Sequence, residues 1–323
     1  MVPLADGRLL AAVRVGDSDS VVRFSSNGAV DGSFVAPRFA RGIRFITLQA
    51  DGKVLVASTD GLEETAPNEA LAKAAPSILR LNTDGTLDSS FSVALNPTAV
   101  LFSPPVVDSS GLVYLAGLFS SVNGTPRVNV ARVSPTGAVD TAFADPASIP
   151  GFGSSQARAV LIQSDGKAVV LGDFRSTARG TSANPMMAIR FTTAGALDGT
   201  YARPLRSEVG INTAVGIRLR HGVILTDDRI VAVSDRLVRL NTDGTRDSTF
   251  VSRAFGKEAF WVSRASDGRY FVADQVSVAG ADGSPVSLAH NGIACFAADG
   301  TPDFSFQTGG WGRSSTVTSG VPL

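Results

Sequence analysis

The chain has 323 residues, 44% of them apolar and 18% charged, so it can build a large core and has no compositional sign of disorder. Its 29 basic and 29 acidic residues cancel, which argues against a nucleic-acid partner or an anionic membrane. The single cysteine, Cys295, excludes an intrachain disulfide and a zinc cluster, and we expect it to be a buried apolar residue. No apolar run reaches the ~18 residues that span a bilayer, and the first residues lack the pattern of a signal peptide.

A twelve-residue phrase recurs six times along the chain. Its clearest form is Arg80-Leu-Asn-Thr-Asp-Gly-Thr-Leu-Asp-Ser-Ser-Phe91, and residues 239–250 repeat it almost unchanged. The six copies cover residues 23–34, 80–91, 132–143, 190–201, 239–250 and 295–306. They start 49 to 58 residues apart, a period typical of repeat architectures, in which each unit buries its faces against its neighbours.

Four strands are predicted for each unit. Strand A is an apolar run such as residues 44–48 or 159–162, and it ends at a motif of the form Gln49-Ala-Asp-Gly-Lys53. Asp-Gly between two apolar runs indicates a tight hairpin turn, so strand B follows this motif. Strand C ends in the Arg-Leu-Asn segment of the phrase, and strand D runs from the phrase's glycine turn to its aromatic residue. Strand B is almost continuously apolar, as expected for a strand covered on both faces.

Units of this length with four antiparallel strands are typical of propeller blades. The sequence therefore predicts an all-β fold, a six-bladed β-propeller that forms a single domain over residues 1–323. Met1 enters at strand B, so the first blade is expected to lack its strand A. The tail at residues 312–323 is expected to supply that strand and close the ring, which removes two open sheet edges. The alternative is that the chain is an excerpt from a longer array of repeats.

The repeated polar positions have a structural interpretation. The glycine of the phrase fits a turn that needs a positive φ, and the aromatic residue is expected to pack between blades. The arginine and the aspartate eight residues later face each other across one hairpin and are expected to form an ion pair. These pairs are Arg23 and Asp31, Arg80 and Asp88, Arg132 and Asp140, Arg190 and Asp198, and Arg239 and Asp247. Cys295 takes the arginine position in the last copy, which should leave Asp303 without that partner.

Calcium binding is the alternative interpretation of Asn82, Asp84 and Asp88, which resemble part of a calcium loop. Calcium needs six to eight oxygen ligands. Because the copies at residues 25–28 and 192–195 lack the acid, the structural interpretation is favoured, and no metal or cofactor is predicted.

The paired motifs, Gln-x-Asp-Gly-Lys and Arg-Leu-Asn-x-Asp-Gly-x-x-Asp-x-x-Phe, resemble the delta-60 repeat family of bacterial β-propellers over essentially the whole chain. The resemblance implies a propeller in a secreted or cell-surface protein, often as one module of a larger polypeptide. It brings no known catalytic residues. The third and fifth repeats depart from the Gln-x-Asp-Gly-Lys motif, and the sixth repeat lacks the arginine of the twelve-residue phrase.

The loops of such a blade fall into two groups. The A–B and C–D turns lie on one face and are short here, whereas the B–C and D–A loops lie on the other face and vary, which favours binding there. The largest is the B–C loop at residues 59–77, where Asn68 caps a predicted short helix at residues 69–75. The candidate ligand-binding side chains are Arg38, Arg41, Arg203, Arg206, Glu208, Lys257, Glu258 and Trp311 in D–A loops and Arg127, Arg175, Arg179 and His290 in B–C loops.

Arginines with exposed aromatic residues suit the recognition of sugars or carboxylates, while solvated rim charges are the alternative interpretation. Trp261 follows the loop of Lys257, and His221 is placed at an A–B turn on the opposite face. The predicted function is a non-enzymatic, extracellular recognition scaffold for a glycan or another protein. A polysaccharide lyase or glycoside hydrolase is the alternative, although the five glutamates imply no catalytic pair and the three tyrosines look structural.

Overall fold

The fold is described from a computed structural model, which defines residues 1–40, 42–59, 77–145, 156–174, 185–205, 207, 219–252, 255, 259–273, 277–279, 285–287 and 293–306. The described residues form β-strands and turns and include no α-helix, and all of the strand pairs are antiparallel. None of them belongs to a helix long and apolar enough to cross a membrane. The Cα positions group into two compact units, Met1–Ser148 (unit 1) and Ile149–Leu323 (unit 2).

Unit 1 contains three sheets that follow the repeats in order. The first comprises β1 (Val2–Pro3), β2 (Leu9–Val15), β3 (Ser18–Phe24) and β4 (Arg38–Phe39). The second comprises β5 (Ile43–Leu48), β6 (Val54–Ser58), β7 (Ser77–Leu81) and β8 (Leu87–Ala94). The third comprises β9 (Val100–Leu101), β10 (Val106–Val107), β11 (Val113–Leu118) and β14 (Val130–Val133), and β12 (Ser121–Val122) and β13 (Thr125–Pro126) form a separate small hairpin.

Unit 2 contains three sheets of three strands each among its described residues. The fourth sheet comprises β15 (Gln156–Ile162), β16 (Ala168–Phe174) and β17 (Met186–Phe191). The fifth comprises β18 (His221–Ile224), β19 (Ile230–Val233) and β20 (Leu237–Leu240). The sixth comprises β21 (Trp261–Arg264), β22 (Tyr270–Ala273) and β25 (Ile293–Phe296), with a separate hairpin of β23 (Ser277–Ala279) and β24 (Pro285–Ser287).

The Asp-Gly turns form as predicted. Gly52 has φ 80° and donates its N–H to the carbonyl of Gln49. The N–H of Gln49 in turn donates to the carbonyl of Lys53 and closes the hairpin. The following strands, β6, β11, β16 and β19, are buried along essentially their whole length, because both of their faces are covered. In the fifth repeat copy the turn glycine is replaced by Asp228, which nevertheless takes φ 63°.

The predicted strand D is interrupted by a turn. β8 spans this segment in the second copy, but within the segment only Leu87 pairs there, with Leu81, and the other copies make the equivalent isolated bridge, such as Phe191 with Leu197. In copy four the carboxylate of Asp198 accepts a hydrogen bond from the Thr200 N–H at 2.9 Å, which folds the chain into a turn. Pairing resumes after the aromatic residue, as in β4 of the first sheet.

The expectation that the first sheet lacks its strand A is wrong. Val2 and Pro3 pair with Leu10 and Leu9, so β1 occupies the place of strand A beside β2. The proposed closing segment at residues 312–323 and the predicted helix at residues 69–75 lie outside the described residues.

The core consists of side chains that join neighbouring sheets. In unit 1 one cluster links the first and second sheets and another links the second and third, whereas in unit 2 the fifth sheet shares one cluster with the fourth and another with the sixth. Each sheet therefore buries its faces against the next one within its unit, as a repeat architecture requires.

Candidate functional site

The arginine and the aspartate of the phrase form an ion pair in each of the first five copies. Arg80 donates from Nε to Asp88 at 2.7 Å and from NH2 to the Ser90 hydroxyl at 3.0 Å, and its guanidinium lies 4.8 Å from the centre of the Phe91 ring. The Nε–Oδ2 distance is between 2.7 and 2.9 Å in Arg23–Asp31, Arg80–Asp88, Arg132–Asp140, Arg190–Asp198 and Arg239–Asp247. Both partners of each pair are at least four-fifths buried.

The same arginines connect neighbouring copies within each unit. The NH1 group of Arg80 donates to the carbonyl of Pro135 in the next copy at 2.7 Å, and Arg190 reaches the carbonyl of Thr242 at the same distance. The backbone adds a parallel link, since the N–H of Ala202 donates to the carbonyl of Asp243 at 2.8 Å. Arg80 and Arg190 therefore hold neighbouring sheets to one another.

A second cation from the hairpin motif approaches the repeated aspartate in every copy except the third, where Leu112 takes the cation's position. Lys53 Nζ lies 2.7 Å from Asp88, and Arg229 NH1 lies 3.0 Å from Asp247. Burial opposes ionisation of Asp88, but hydrogen bonds from Lys53, Ser90 and Arg80 outweigh that effect and hold its pKa well below the usual range.

The second cation matters most in the last copy, where Cys295 occupies the arginine position. Arg269 NH1 lies 3.8 Å from the carboxylate of Asp303 and 3.9 Å from the Cys295 sulfur, so Asp303 keeps a cationic neighbour that the sequence analysis overlooked. Cys295 is fully buried, as predicted, and burial raises the pKa of its thiol.

Three of the predicted ligand-binding residues lie within the described part of the chain. Arg38 is exposed on β4, and Arg127 is buried and donates to the carbonyls of Pro126 and Asp140. Arg203, in unit 2, is half-buried at φ 50°. Arg38 and Arg127 belong to different sheets, so the structure does not bring them together as one site. Arg41, Arg175, Arg179, Arg206, Glu208, Lys257, Glu258, His290 and Trp311 lie outside the described residues.

The carboxylates of the alternative calcium loop are occupied by protein donors. Asp84 accepts from the Thr86 N–H and hydroxyl, and Asp88 accepts from Arg80, Lys53 and Ser90. Within the described ranges, no group of three acidic, histidine or cysteine side chains is arranged to hold a metal ion.

His221 does not lie at an A–B turn as predicted. It begins β18, four residues before that turn, so it lies at the strand end that the D–A loop enters. Its imidazole is next to Trp261, the first residue of β21, with the ring centroids 5.9 Å apart and the planes inclined by 32°. Burial lowers the pKa of His221 to about 4, so the ring is neutral at pH 7.

Sequence reasoning missed a second series of arginines, at the position directly before His221 and at the equivalent positions of other copies. Arg44 and Arg158 precede the Gln of the hairpin motif by five residues, and Arg220 stands at the same distance from Leu225, which replaces that Gln. Arg44 and Arg158 are placed at β-bulges, where the pairing of β5 with β6 and of β15 with β16 shifts register. Bulges re-aim side chains at strand ends, often beside functional sites.

In the sixth sheet this position is occupied by Phe260. The Arg220 guanidinium lies 4.7 Å from the centre of the Phe260 ring, and 55% of the Phe260 surface is exposed. Strands β15, β18 and β21 are neighbours, so unit 2 presents Arg158, Arg220 and Phe260 in one row, with His221 and Trp261 beside it. We call these five residues the strand-start cluster.

The strand-start cluster combines an exposed aromatic face, a stacked guanidinium and a neutral imidazole. An aromatic face packs against the C–H face of a sugar ring, and guanidinium N–H groups donate to hydroxyl or carboxylate oxygens. The signal available in the sequence was the pair of dipeptides Arg220-His221 and Phe260-Trp261, each directly before an apolar run.

Comparison with known families supports a β-propeller repeat protein. Residues 49–91, 109–143 and 227–250 match the family model described as "Domain of unknown function (DUF5122) beta-propeller". Each matched segment ends at the aromatic residue of a phrase copy: Phe91, Phe143 or Phe250. No curated protein matches the chain.

Solved structures with similar folds are distant in sequence. A Bacteroides caccae protein of unknown function is 10% identical, with 91% of each chain covered and a TM-score of 0.46. A Xanthomonas campestris gluconolactonase is 12% identical, with 79% of this chain and 78% of that chain covered and a TM-score of 0.42. The extracellular domain of a hybrid two-component system protein from B. thetaiotaomicron is 9% identical, with 91% of this chain but 35% of that chain covered and a TM-score of 0.48. At these TM-scores the likenesses support no functional inference.

Proposed function

We propose that this protein is a non-enzymatic recognition scaffold that binds a glycan at the strand-start cluster. The observation that carries the proposal is the stacking of Arg220 on Phe260, at 4.7 Å, with more than half of the Phe260 surface open to solvent. An exposed aromatic ring costs free energy in water unless a ligand covers it, and a sugar ring covers it while its hydroxyls accept hydrogen bonds from the guanidinium.

Neighbouring residues make the cluster a firm platform. Val262 N–H points toward His221 Nδ1 at 3.5 Å, and Phe260 N–H bonds to the Ala273 carbonyl at 3.4 Å, so the backbone under both aromatic residues belongs to a sheet. A rigid platform loses little conformational entropy on binding. A glycan is therefore favoured over a protein partner, which would need a wider apolar surface.

The proposal extends to the whole chain. We propose that the six sheets are the blades of one six-bladed propeller of the delta-60 type, closed by residues 312–323 at the free edge of β1 rather than in the place of strand A, and that it works at the cell exterior. Within each unit the phrase arginine of one copy donates a hydrogen bond to a backbone carbonyl of the next copy, and this repeated contact supports the arrangement. Deleting residues 312–323 should lower the midpoint of thermal unfolding, and an unchanged midpoint would contradict ring closure.

Binding is tested by screening the full chain on a glycan array that contains neutral and uronate-bearing oligosaccharides, followed by calorimetry. Phe260→Ala should weaken binding about tenfold, as expected for one aromatic contact. Phe304→Ala is the matched control, because Phe304 is 52% exposed and lies outside the cluster. Equal affinities for the two variants would refute the site.

A reducing-end release assay on the same oligosaccharides separates binding from turnover. Release that disappears when one carboxylate is replaced would support the alternative, a polysaccharide-active enzyme, and would overturn the scaffold function.

A further inference from the structure

A cavity of about 340 Å³ lies in unit 1, between the first hairpin turn and the second sheet. Its wall includes Leu4, Arg8, Arg23, Phe34, Gly52 and Thr83. The cavity is distinct from the strand-start cluster, which belongs to unit 2.

The fourth copy shows how a glutamine can fill the equivalent place. There Gln163, 4% exposed, donates from its side-chain amide to the carbonyls of Asp228 and Thr242, both at 3.3 Å. Its amide oxygen accepts from Arg190 NH1 at 3.0 Å. A single carboxamide thus satisfies one donor and two acceptors at the contact between two copies.

In the first copy the same position is occupied by Leu4, which has no polar group. The arginine contact is the same, since Arg23 NH1 donates to the Thr83 carbonyl at 2.8 Å, just as Arg190 donates to Thr242 at 2.7 Å. One further residue differs: Gln49 of the second copy, where the fifth copy has Leu225, also lines the cavity, and its side-chain oxygen is buried without a hydrogen-bond partner among the described residues. Gly52 stands where Asp228 stands in the fifth copy, at the end of the second hairpin turn. The cavity therefore lies beside the same donor and the same two carbonyls, without the amide that joins them.

The charges around the cavity are balanced. Arg23 is paired with Asp31 at 2.7 Å, and Arg8 is paired with Asp6 at 2.7 Å and with Asp31 at 3.3 Å. An anion would have to compete with these carboxylates for the arginines, so the wall favours an uncharged polar group.

We infer that this cavity is a binding site for a neutral ligand that carries a primary carboxamide, such as a glutamine or asparagine side chain or a small amide. The ligand's carbonyl oxygen accepts from Arg23 NH1, and its NH2 group donates to the carbonyls of Gly52 and Thr83. Its apolar part packs against Leu4 and Phe34, which form part of the same wall.

The test uses N-acetylglutamine amide as the probe and the full chain labelled for NMR. A saturable shift of the Arg23 Nε–H signal is expected, with a dissociation constant on the order of 1 mM for a ligand of this size. Leu4→Gln supplies the amide from the chain itself and should weaken binding at least tenfold, whereas Leu4→Met keeps the wall apolar and should retain it. No saturable shift, or equal binding by the Gln and Met variants, would overturn the inference.

A second variant keeps the inference testable if Leu4→Gln perturbs the first hairpin. This is the double variant Leu4→Gln with Gln163→Leu. The first substitution fills the cavity of the first copy, and the second removes the amide that fills the equivalent place in the fourth copy. The probe should then bind again and shift the Arg190 Nε–H signal instead. Failure of binding to return in the double variant would show that the missing amide does not define the site.

Discussion

Replacing Asp88 with alanine should destabilise the protein much more than the same change at Asp303. Asp88 is 8% exposed and accepts hydrogen bonds from Arg80 Nε and Lys53 Nζ, both at 2.7 Å, and from the N–H and hydroxyl of Ser90. Removing one partner of a buried ion pair costs about 3–5 kcal/mol. Arg80 would keep the Pro135 carbonyl and the Ser90 hydroxyl, so we expect the lower end, about 3 kcal/mol.

The corresponding loss at Asp303 is smaller because the arginine of the pair is absent. Its side chain is 23% exposed, its cationic neighbour Arg269 is 3.8 Å away, and its short contacts are those with Ser305. Losing these contacts should cost about 1 kcal/mol. The two variants should therefore differ by about 2 kcal/mol in the free energy of unfolding.

Urea denaturation followed by both fluorescence and circular dichroism measures the difference, provided that the two transitions coincide. Asp88→Asn is the internal control, because it keeps the acceptor for Ser90 but removes the charge, and it should fall between the wild type and Asp88→Ala. Equal losses for Asp88→Ala and Asp303→Ala would refute the explanation based on the buried ion pair.

Three further predictions concern unit 2. Tyr201→Phe should stabilise by about 1 kcal/mol, measured by urea denaturation, because the Tyr201 hydroxyl is buried and lacks a hydrogen-bond partner among the described residues. Gly244→Ala should destabilise by about 3 kcal/mol in the same assay, since Gly244 has φ 87° and a Cβ there would lie 2.6 Å from the Tyr201 ring; a neutral effect would contradict the tight contact between copies. Stability should fall as the pH drops from about 6.5 to about 4, by up to about 3 kcal/mol, because the unfolded chain binds a proton at His221 that the folded chain, with a pKa of about 4, does not. His221→Phe should remove that part of the pH dependence in thermal melts, and an unchanged slope above pH 5 would refute the assignment.

The interactions that could be predicted from the sequence are those between residues that a single hairpin turn brings together. A glycine at positive φ sets the hairpin, and the hairpin places Asp88 opposite Arg80, so eight residues of spacing were enough to predict the pair. The links from Arg80 to Pro135 and from Arg23 to Thr83 could not be predicted in this way, because they depend on how far apart two consecutive sheets lie.

The errors came from side chains that change the local backbone. The Asp-x-x-aromatic segment alternates like a strand, but the carboxylate of Asp198 bonds to the backbone two residues ahead and bends the chain into a turn. At His221 the misleading residue was Gly222, which resembles a turn glycine. It lies inside β18, where a Cβ would come within 2.8 Å of Leu171, so this glycine serves close packing and the turn forms four residues later.

The departures from the repeat are more informative about function than the repeat itself. In the fourth copy the motif residues Gln163 and Arg190 are occupied in holding adjacent copies together. Leu4 in place of glutamine leaves a cavity beside Arg23, and Phe260 in place of arginine exposes a ring beside Arg220. Both candidate sites therefore lie where one copy departs from a residue that other copies share.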